Sequence, residues 1–253
     1  MPLDLAKICA GRPRNDVHYF RTLGSTMTEA SRLATAGASH GTVVLADEQT
    51  SGVGRLGRSW ISQVDDGIYL SILLRIPILP TRLPIASLLL GLATAEAIEN
   101  TAALECDIRW PNDILIRERK VSGVLPYLVE GCIVAGIGIN VNQTKMPSDL
   151  RTPATSLRIE CGGRTQDREQ LIIKLLEAIE EFCSMLERQG PDSILDAFTR
   201  ASSYVLSRRV LVEETGKRGT TAGLDENGFL LLTLDNGQLE KLSSGGIRAD
   251  QTP

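Results

Sequence analysis

The sequence predicts an α+β fold, a mixed and largely antiparallel sheet with helices packed on it, followed by a small all-β domain. Three observations lead there. Strand-like runs at 113–117, 121–129 and 132–141 are joined by short polar turns, which suit hairpins and leave no room for crossover helices. Long helical patterns flank this run of strands instead of alternating with them. From Arg208 the texture changes to short β-rich pieces, so the 253 residues divide into a larger domain at 1–204 and a smaller one at 205–253.

Taken in order, Ser25 and Thr26 precede a helical pattern. Thr26 and Glu29 have capping-box spacing, Met27, Ala30 and Ala34 share a face, and Gly37 is a natural stop. Thr42–Glu48 and Gly67–Ile76 read as strands, with a glycine-rich basic segment, Gln49–Arg58, between them. Pro84 opens a Leu- and Ala-rich helix that runs to about Asn100. Asp167, with Gln170 three residues on, caps a long helix that stops at Gly190-Pro191, and a shorter helix reaches Ser202. The remaining pieces, punctuated by Glu226-Asn227-Gly228 and Asp235-Asn236-Gly237, suffice only for a small barrel-like unit that leans on the first domain.

Composition narrows the function. With 42% hydrophobic and 23% charged residues and a net charge of −4, the chain is an ordinary globular protein and lacks the basic balance of a nucleic-acid binder. Five scattered cysteines without a Cys-x-x-Cys pair, and only two histidines, argue against a zinc site or a disulfide framework. No resident metal ligands are expected. The N-terminus has no apolar core before Arg12, and the apolar stretch Ile85–Ile98 carries Glu96 and is too short to span a bilayer. A cytoplasmic protein, bound neither to membrane nor to nucleic acid, is the expectation.

Gly52-Val53-Gly54-Arg55-Leu56-Gly57 matches the dinucleotide fingerprint and even follows a strand. That fingerprint needs a helix directly afterwards to face a pyrophosphate. Here Arg58-Ser59-Trp60 and the acidic turn Asp65-Asp66-Gly67 lead into another strand, so the reading fails on context. What remains is a loop whose glycines allow close backbone approach. Its arginines suit phosphate or carboxylate, and its tryptophan can cover an apolar ligand face.

Four more pieces give this loop a setting: Ser25-Thr26, Arg109-Trp110-Pro111-Asn112-Asp113, Arg119-Lys120-Val121-Ser122-Gly123 and Gly136-Ile137-Gly138-Ile139-Asn140. Singly they read as a helix cap, a turn, a solvated lysine and a bulged strand. In this order, with Gln49 before the loop, they resemble the catalytic core of biotin protein ligases from about Ser25 to Asn142. Ser244-Gly245-Gly246-Ile247 looks like the family's closing strand. The resemblance implies a class II synthetase-like core with an SH3-like barrel behind it. It implies ATP and biotin as substrates with Mg2+ screening the triphosphate, biotinyl-5′-AMP as intermediate, and a biotin carboxyl carrier protein lysine as acceptor. Lys120, Arg55 and Asp113 would be catalytic, with Asp113 holding or partly deprotonating the incoming lysine. Ser25, Thr26, Met27, Gln49, Val53, Gly54, Arg55 and Lys120 would bind biotin. Arg55, Arg58, Trp60, Asn112 and Asn140 would bind ATP and the adenylate, and Trp60 and Trp110 would pack on adenine or close the pocket. Homodimers occur among relatives through edge-to-edge sheet contact, so a homodimer is one arrangement open to this chain, although the sequence does not locate such an edge.

Some positions depart from the family's pattern. Val53 and Leu56 stand where many relatives carry arginine, Met27 where Asn is usual, Arg109 where Lys is common and Tyr127 where a carboxylate is frequent. Arg and Lys are not equivalent at a fitted phosphate site. Repressor members carry an N-terminal helix-turn-helix domain; only 24 residues precede Ser25, so the form without it is expected. Two rivals stand beside the ligase reading: a lipoate or octanoate ligase of the same fold, and a non-catalytic biotin-binding protein.

Overall fold

The computed structural model describes residues 1–10, 17–148, 150, 152–243 and 245–250. Seven strands build the main sheet: β1 (Val17–Phe20), β2 (Val43–Ala46), β3 (Gly67–Leu74), β4 (Asp107–Arg109), β5 (Asp113–Ile116), β6 (Arg119–Val129) and β7 (Cys132–Asn140). Their order is β1-β2-β3-β7-β6-β5-β4, with β1 and β2 parallel and every other pair antiparallel. The sequence reading did not anticipate β1 or β4. Each has only three or four residues, too few to show a period of two.

Among the described residues, six α-helices accompany this sheet: α1 (Leu5–Cys9), α2 (Thr26–Thr35), α3 (Leu83–Ala102), α4 (Leu157–Glu160), α5 (Arg168–Gln189) and α6 (Pro191–Ala201). Alternation along the strands sorts the two faces. Val43, Leu45, Ile68, Leu70, Ile72, Ile133, Ala135 and Ile137 point to a large core shared with α3, α5 and α6. Val44, Leu73, Cys132 and Val134 point the other way, to a smaller core under Met27, Ala30, Leu33 and Ala34 of α2. Helix α2 has ten residues and covers only part of that second face. The uncovered remainder becomes the floor of the site.

Several expected end signals are present. Asp167 accepts from the Gln170 amide at 2.9 Å and caps α5. Gly37, at φ +83°, closes α2 by donating to the Ala34 carbonyl while Ala38 donates to that of Leu33, a Schellman arrangement. The capping box at the start of α2 does not form. Ser25 is the N-cap and makes no side-chain cap bond, because Thr26 turns inward to Gln49. Helix α3 also outruns its expected limits. With the 3-10 turn before it, it forms a 23-residue helix from Pro80 to Ala102, long and apolar enough by composition to cross a membrane, yet mostly buried in this fold. The α-helix itself begins one residue before Pro84 and ends two residues after Asn100, and the 3-10 turn Pro80–Arg82 adds the rest.

The second sheet is antiparallel and runs β11 (Leu239–Leu242), β10 (Leu230–Leu234), β9 (Arg218–Leu224), β8 (Leu206–Val212), β12 (Ile247–Ala249). It leans on the first domain through the predicted Asn227-Gly228 turn. Gly228 packs against Ile85 and Leu88 of α3, and its carbonyl accepts from the Trp110 indole at 3.1 Å.

Candidate active site

The predicted residues converge on a cavity of about 460 Å³ on the sheet face that α2 leaves uncovered. Register explains the floor. Tyr69 pairs with Gly138, Gly138 with Gly123, Gly123 with Asp113, and Asp113 with Arg109, so one row crosses five strands and ends in two charged groups. The next row is Ser71, Gly136 and Leu125. Glycines in these rows leave room for side chains arriving from outside the sheet. A Cβ on Gly138 would lie 2.4 Å from Trp60 Cε2, one on Gly123 would lie 3.3 Å from Trp60 Cζ3, and one on Gly136 would lie 2.4 Å from Met27 Sδ. Trp60 therefore rests flat on the sheet, and its indole nitrogen is buried without a hydrogen-bond partner among the described residues.

Lys120 reaches this face through a β-bulge. Ile114 pairs with Ser122 but Leu115 pairs with Lys120, so β6 carries one extra residue, Val121. Plain alternation from Gly123 would send Lys120 to the opposite face. The extra residue lets Val121 enter the large core and turns Lys120 toward Asp113. Its ammonium stands 2.5 Å from Asp113 Oδ1 and 5.4 Å from the Trp60 ring centre, with the side chain 24% exposed. This is not a solvated turn lysine.

The other oxygen of Asp113 accepts from Arg109 Nη2 at 2.5 Å. Burial works to raise the Asp113 carboxyl, but the Lys120 ammonium and the Arg109 guanidinium outweigh it and hold the group below the usual carboxylate range. Both oxygens are thus engaged by cations.

The polar end of the cavity lies at the start of α2. Gln49 Oε1 accepts from the Thr26 amide at 2.8 Å and the Thr26 hydroxyl at 3.0 Å, and Gln49 Nε2 donates to Ser62 Oγ at 2.8 Å. Ser71 Oγ donates to Thr26 Oγ1 at 2.8 Å. Ser25 is buried alongside but is absent from the cavity wall, and its hydroxyl has no hydrogen-bond partner among the described residues.

The loop over the cavity is a narrow hairpin. Val53 bridges to Ser59, the Gly54 amide donates to the Arg58 carbonyl at 2.7 Å, and the Trp60 amide donates to the Gly52 carbonyl at 2.9 Å. A Cβ at Gly52 would meet the Trp60 carbonyl at 2.4 Å, so this crossing requires glycine. Arg55 turns inward, and its Nη1 donates to Asn112 Oδ1 at 3.0 Å and to the Gly245 carbonyl at 3.1 Å. Burial pushes its pKa down from the ordinary arginine value. Arg58 stays half-exposed, 3.8 Å from Glu213 and 4.0 Å from Glu214.

The remaining expected residues are fixed by the backbone. Asn112 Nδ2 donates to the Val124 carbonyl at 2.9 Å, and Asn140 Nδ2 to the Thr155 carbonyl at 3.0 Å. The Trp110–Pro111 peptide is cis. Trp110 was expected over adenine or at the pocket mouth. Its indole is 2% exposed, belongs to the large core and is tied to Gly228, and the residue also lines the cavity, whose floor Trp60 covers. Ser244 lies outside the described residues. The sequence reading missed two parts of the wall: the loop with Gln143, Lys145, Pro147 and Thr152, and Glu213, Glu214 and Gly246 of the second sheet. A polar, proline-punctuated run after β7 signals a loop but not where it folds. Nothing in the strand pattern of the second domain points to the first domain's cavity.

Chemically, the cavity joins an apolar slot lined by Met27, Trp60 and Leu125 to a polar end at Thr26 and Gln49 and to a cationic end at Lys120, Arg109 and Arg55. It suits a molecule with an apolar body and an anionic tail. Among the described residues, no group of three His, Cys, Asp or Glu side chains is arranged to hold a metal.

Residues 19–143 match the family model described as the biotin/lipoate A/B protein ligase family, and residues 208–247 match that of the biotin protein ligase C terminal domain. A bifunctional ligase/repressor of Bacillus subtilis is 35% identical, over 90% of this chain and 72% of the relative. A biotin–[acetyl-CoA-carboxylase] ligase of Mycobacterium tuberculosis is 32% identical, over 95% of this chain and 91% of the relative. The biotin protein ligase from Aquifex aeolicus, solved in complex with biotin and ATP, superposes with a TM-score of 0.79 at 32% identity, over 94% of this chain and 100% of that one.

Proposed function

The chain belongs to the biotin protein ligase family, and on that premise we propose that it activates biotin with ATP to biotinyl-5′-AMP and transfers the biotinyl group to a lysine of a biotin carboxyl carrier protein. One observation carries the reading beyond family membership: Asp113 holds Lys120 and Arg109 side by side at the end of an apolar slot closed by Trp60.

In the first step a biotin carboxylate oxygen attacks the α-phosphorus, and pyrophosphate leaves. Such a reaction asks the protein chiefly for positioning and charge stabilisation. Lys120 is the group to stabilise the growing charge on the carboxylate and phosphoryl oxygens. Arg55, steadied by Asn112, and Arg58 supply further cationic donors. Gln49 and Thr26 face the ureido head, while Met27, Val53 and Gly54 shape the pocket around it and Ser25 lies buried behind the wall. Trp60 and Asn140 complete the adenylate site. Magnesium arrives with the triphosphate as part of the substrate. In the second step the neutral amine of the acceptor lysine attacks the mixed anhydride and AMP departs. Asp113 orients the cations around it and holds the incoming lysine.

We also propose that residues 1–204 form the catalytic domain and 205–253 the barrel. The protein would work in the cytoplasm, as a homodimer, without a nucleic-acid or membrane partner. The start of the second sheet at Leu206 supports the division. The deciding assay uses radiolabelled ATP with biotin or lipoate under single-turnover conditions. Biotinyl-AMP followed by labelling of a carrier domain is the expected result. Lipoyl-AMP in its place, or no adenylate, would overturn the proposal.

A further inference from the structure

Lys120 is held by its backbone as well as by Asp113. Its amide donates to the Pro153 carbonyl at 2.8 Å, and its carbonyl accepts from the Thr155 amide at 2.9 Å, a parallel bridge centred on Ala154. Thr155 is fixed in turn. Its carbonyl accepts from Asn140 Nδ2 at 3.0 Å, and its hydroxyl donates to Glu160 Oε1. The same carboxylate pairs with Arg119 Nη2 at 2.6 Å and with Arg117 Nη1 at 3.3 Å. One side chain from α4 therefore joins the segment at 152–155 to the β5–β6 hairpin, and Lys120 lies where those two meet.

The Glu160 side chain is fully buried, whereas both arginines reach solvent. Stability is a poor account of such a group. Desolvation of a buried carboxylate offsets most of what its partners return, and an apolar residue of similar size would fill the space as well. The hairpin it holds is also unfavourable in isolation. Arg117 and Glu118 form its two-residue tip at φ +50° and +61°, in the left-handed region where glycine or asparagine is usual. Side chains from outside the hairpin secure both residues: Glu160 pairs with Arg117, and Tyr204 and Arg208 bond Glu118.

We propose that Glu160 is a positioning residue for Lys120, fixing the bulge in β6 and with it the direction of the ammonium. The proposal rests on the adenylation reading above. The β5–β6 ladder leaves Val121 as the extra residue, and β5 contributes one side-chain constraint on that arrangement, the Asp113–Lys120 ion pair. During adenylation the ammonium must turn part of its charge from Asp113 to the new oxygens, which loosens this constraint. Its position then depends on the backbone. Glu160 supplies both anchors: Arg119 precedes Lys120 in the strand, and Thr155 clamps the Lys120 carbonyl. A displacement of about 1 Å at a reacting group is enough to cost about 10²-fold in rate.

The test uses the full chain with Glu160→Gln and Thr155→Val, each alone and combined with Lys120→Ala. Glu160→Gln keeps the shape and removes the charge; Thr155→Val removes the hydroxyl and leaves Glu160 with both arginines. Single-turnover formation of biotinyl-AMP from biotin, ATP and magnesium is the readout, corrected for the folded fraction by thermal unfolding. Each single variant should slow the step about 10- to 100-fold, and Thr155→Ser should restore most of the rate. In the Lys120→Ala background the same changes should cost less than about twofold, because the group they position is gone. Unchanged rates in both single variants would overturn the proposal. So would an equal fold-loss with and without Lys120, the signature of a general structural role. If Glu160→Gln does not fold, Thr155→Val decides by the same criteria. A wild-type protein that makes no adenylate would overturn the ligase reading, and this proposal with it.

Discussion

Replacing Lys120 with alanine separates its chemical role from its structural one. The ammonium lies 2.5 Å from Asp113 and 5.4 Å from the Trp60 ring centre, so it is held in place before any ligand arrives. Deleting one such preorganised donor costs about 2.7–4 kcal/mol of transition-state stabilisation, a drop of roughly 10²–10³ in the adenylation rate. The stability loss should be far smaller. The Lys120 and Asp113 side chains are 24% and 15% exposed, and Arg109 remains to neutralise Asp113, so a partly solvated pair worth about 1 kcal/mol is lost. Single-turnover formation of biotinyl-AMP measures the first quantity and thermal unfolding the second. Lys120→Arg should recover stability but not the full rate, because its fork cannot occupy the position of a compact ammonium. An unchanged adenylation rate in Lys120→Ala would refute the reasoning. So would a rate loss wholly accounted for by unfolded protein.

Three further outcomes follow from the same geometry. Gly138→Ala adds a methyl 2.4 Å from Trp60 Cε2, so the indole must leave its seat; unfolding experiments should show a loss of about 1–3 kcal/mol, with a red-shifted Trp60 emission. Limited trypsinolysis of the free protein should cut at Arg55 or Arg58, and biotin with ATP should suppress the cut; equal cleavage at saturating ligand would mean that the loop does not close. Hydrogen bonding from Arg21, more than any other influence, holds the Asp65 carboxyl at about 2, below its unfolded value of about 3.9. Its contribution to stability is therefore full above pH ~4 and lost as the pH falls toward 2. Asp65→Asn should flatten that part of the unfolding-temperature profile, and an unaltered profile would assign the acid limb to other groups.

Much of the architecture was legible because its signals are local. Asp167 with Gln170, Gly37 and the Asn227-Gly228 turn act within a few residues of themselves, and each appears where its chemistry requires. Thr26 shows the limit of such signals. It has the spacing of a capping residue, but Gln49, 23 residues away, offers its carbonyl oxygen to both the amide and the hydroxyl of Thr26. A tertiary partner overrode the local preference. Trp110 shows the same limit: the partner of its indole nitrogen, the Gly228 carbonyl, comes from the second sheet, 118 residues away.

The sequence by itself determined which residue types meet in the site: glycines at 123, 136 and 138, the arginines of the loop, Asp113 and Lys120. It also determined the alternation that assigns most strand residues to one face or the other. It could not determine the row from Tyr69 to Arg109, because register between strands distant in the chain is a property of the assembled sheet. Nor could it reveal the bulge at Val121. Read with a period of two, Lys120 belongs on the face opposite Gly123. One extra residue, accommodated only once β5 and β6 pair, brings its ammonium to Asp113. The charge was written in the sequence; the direction in which it points was decided by the pairing of the strands.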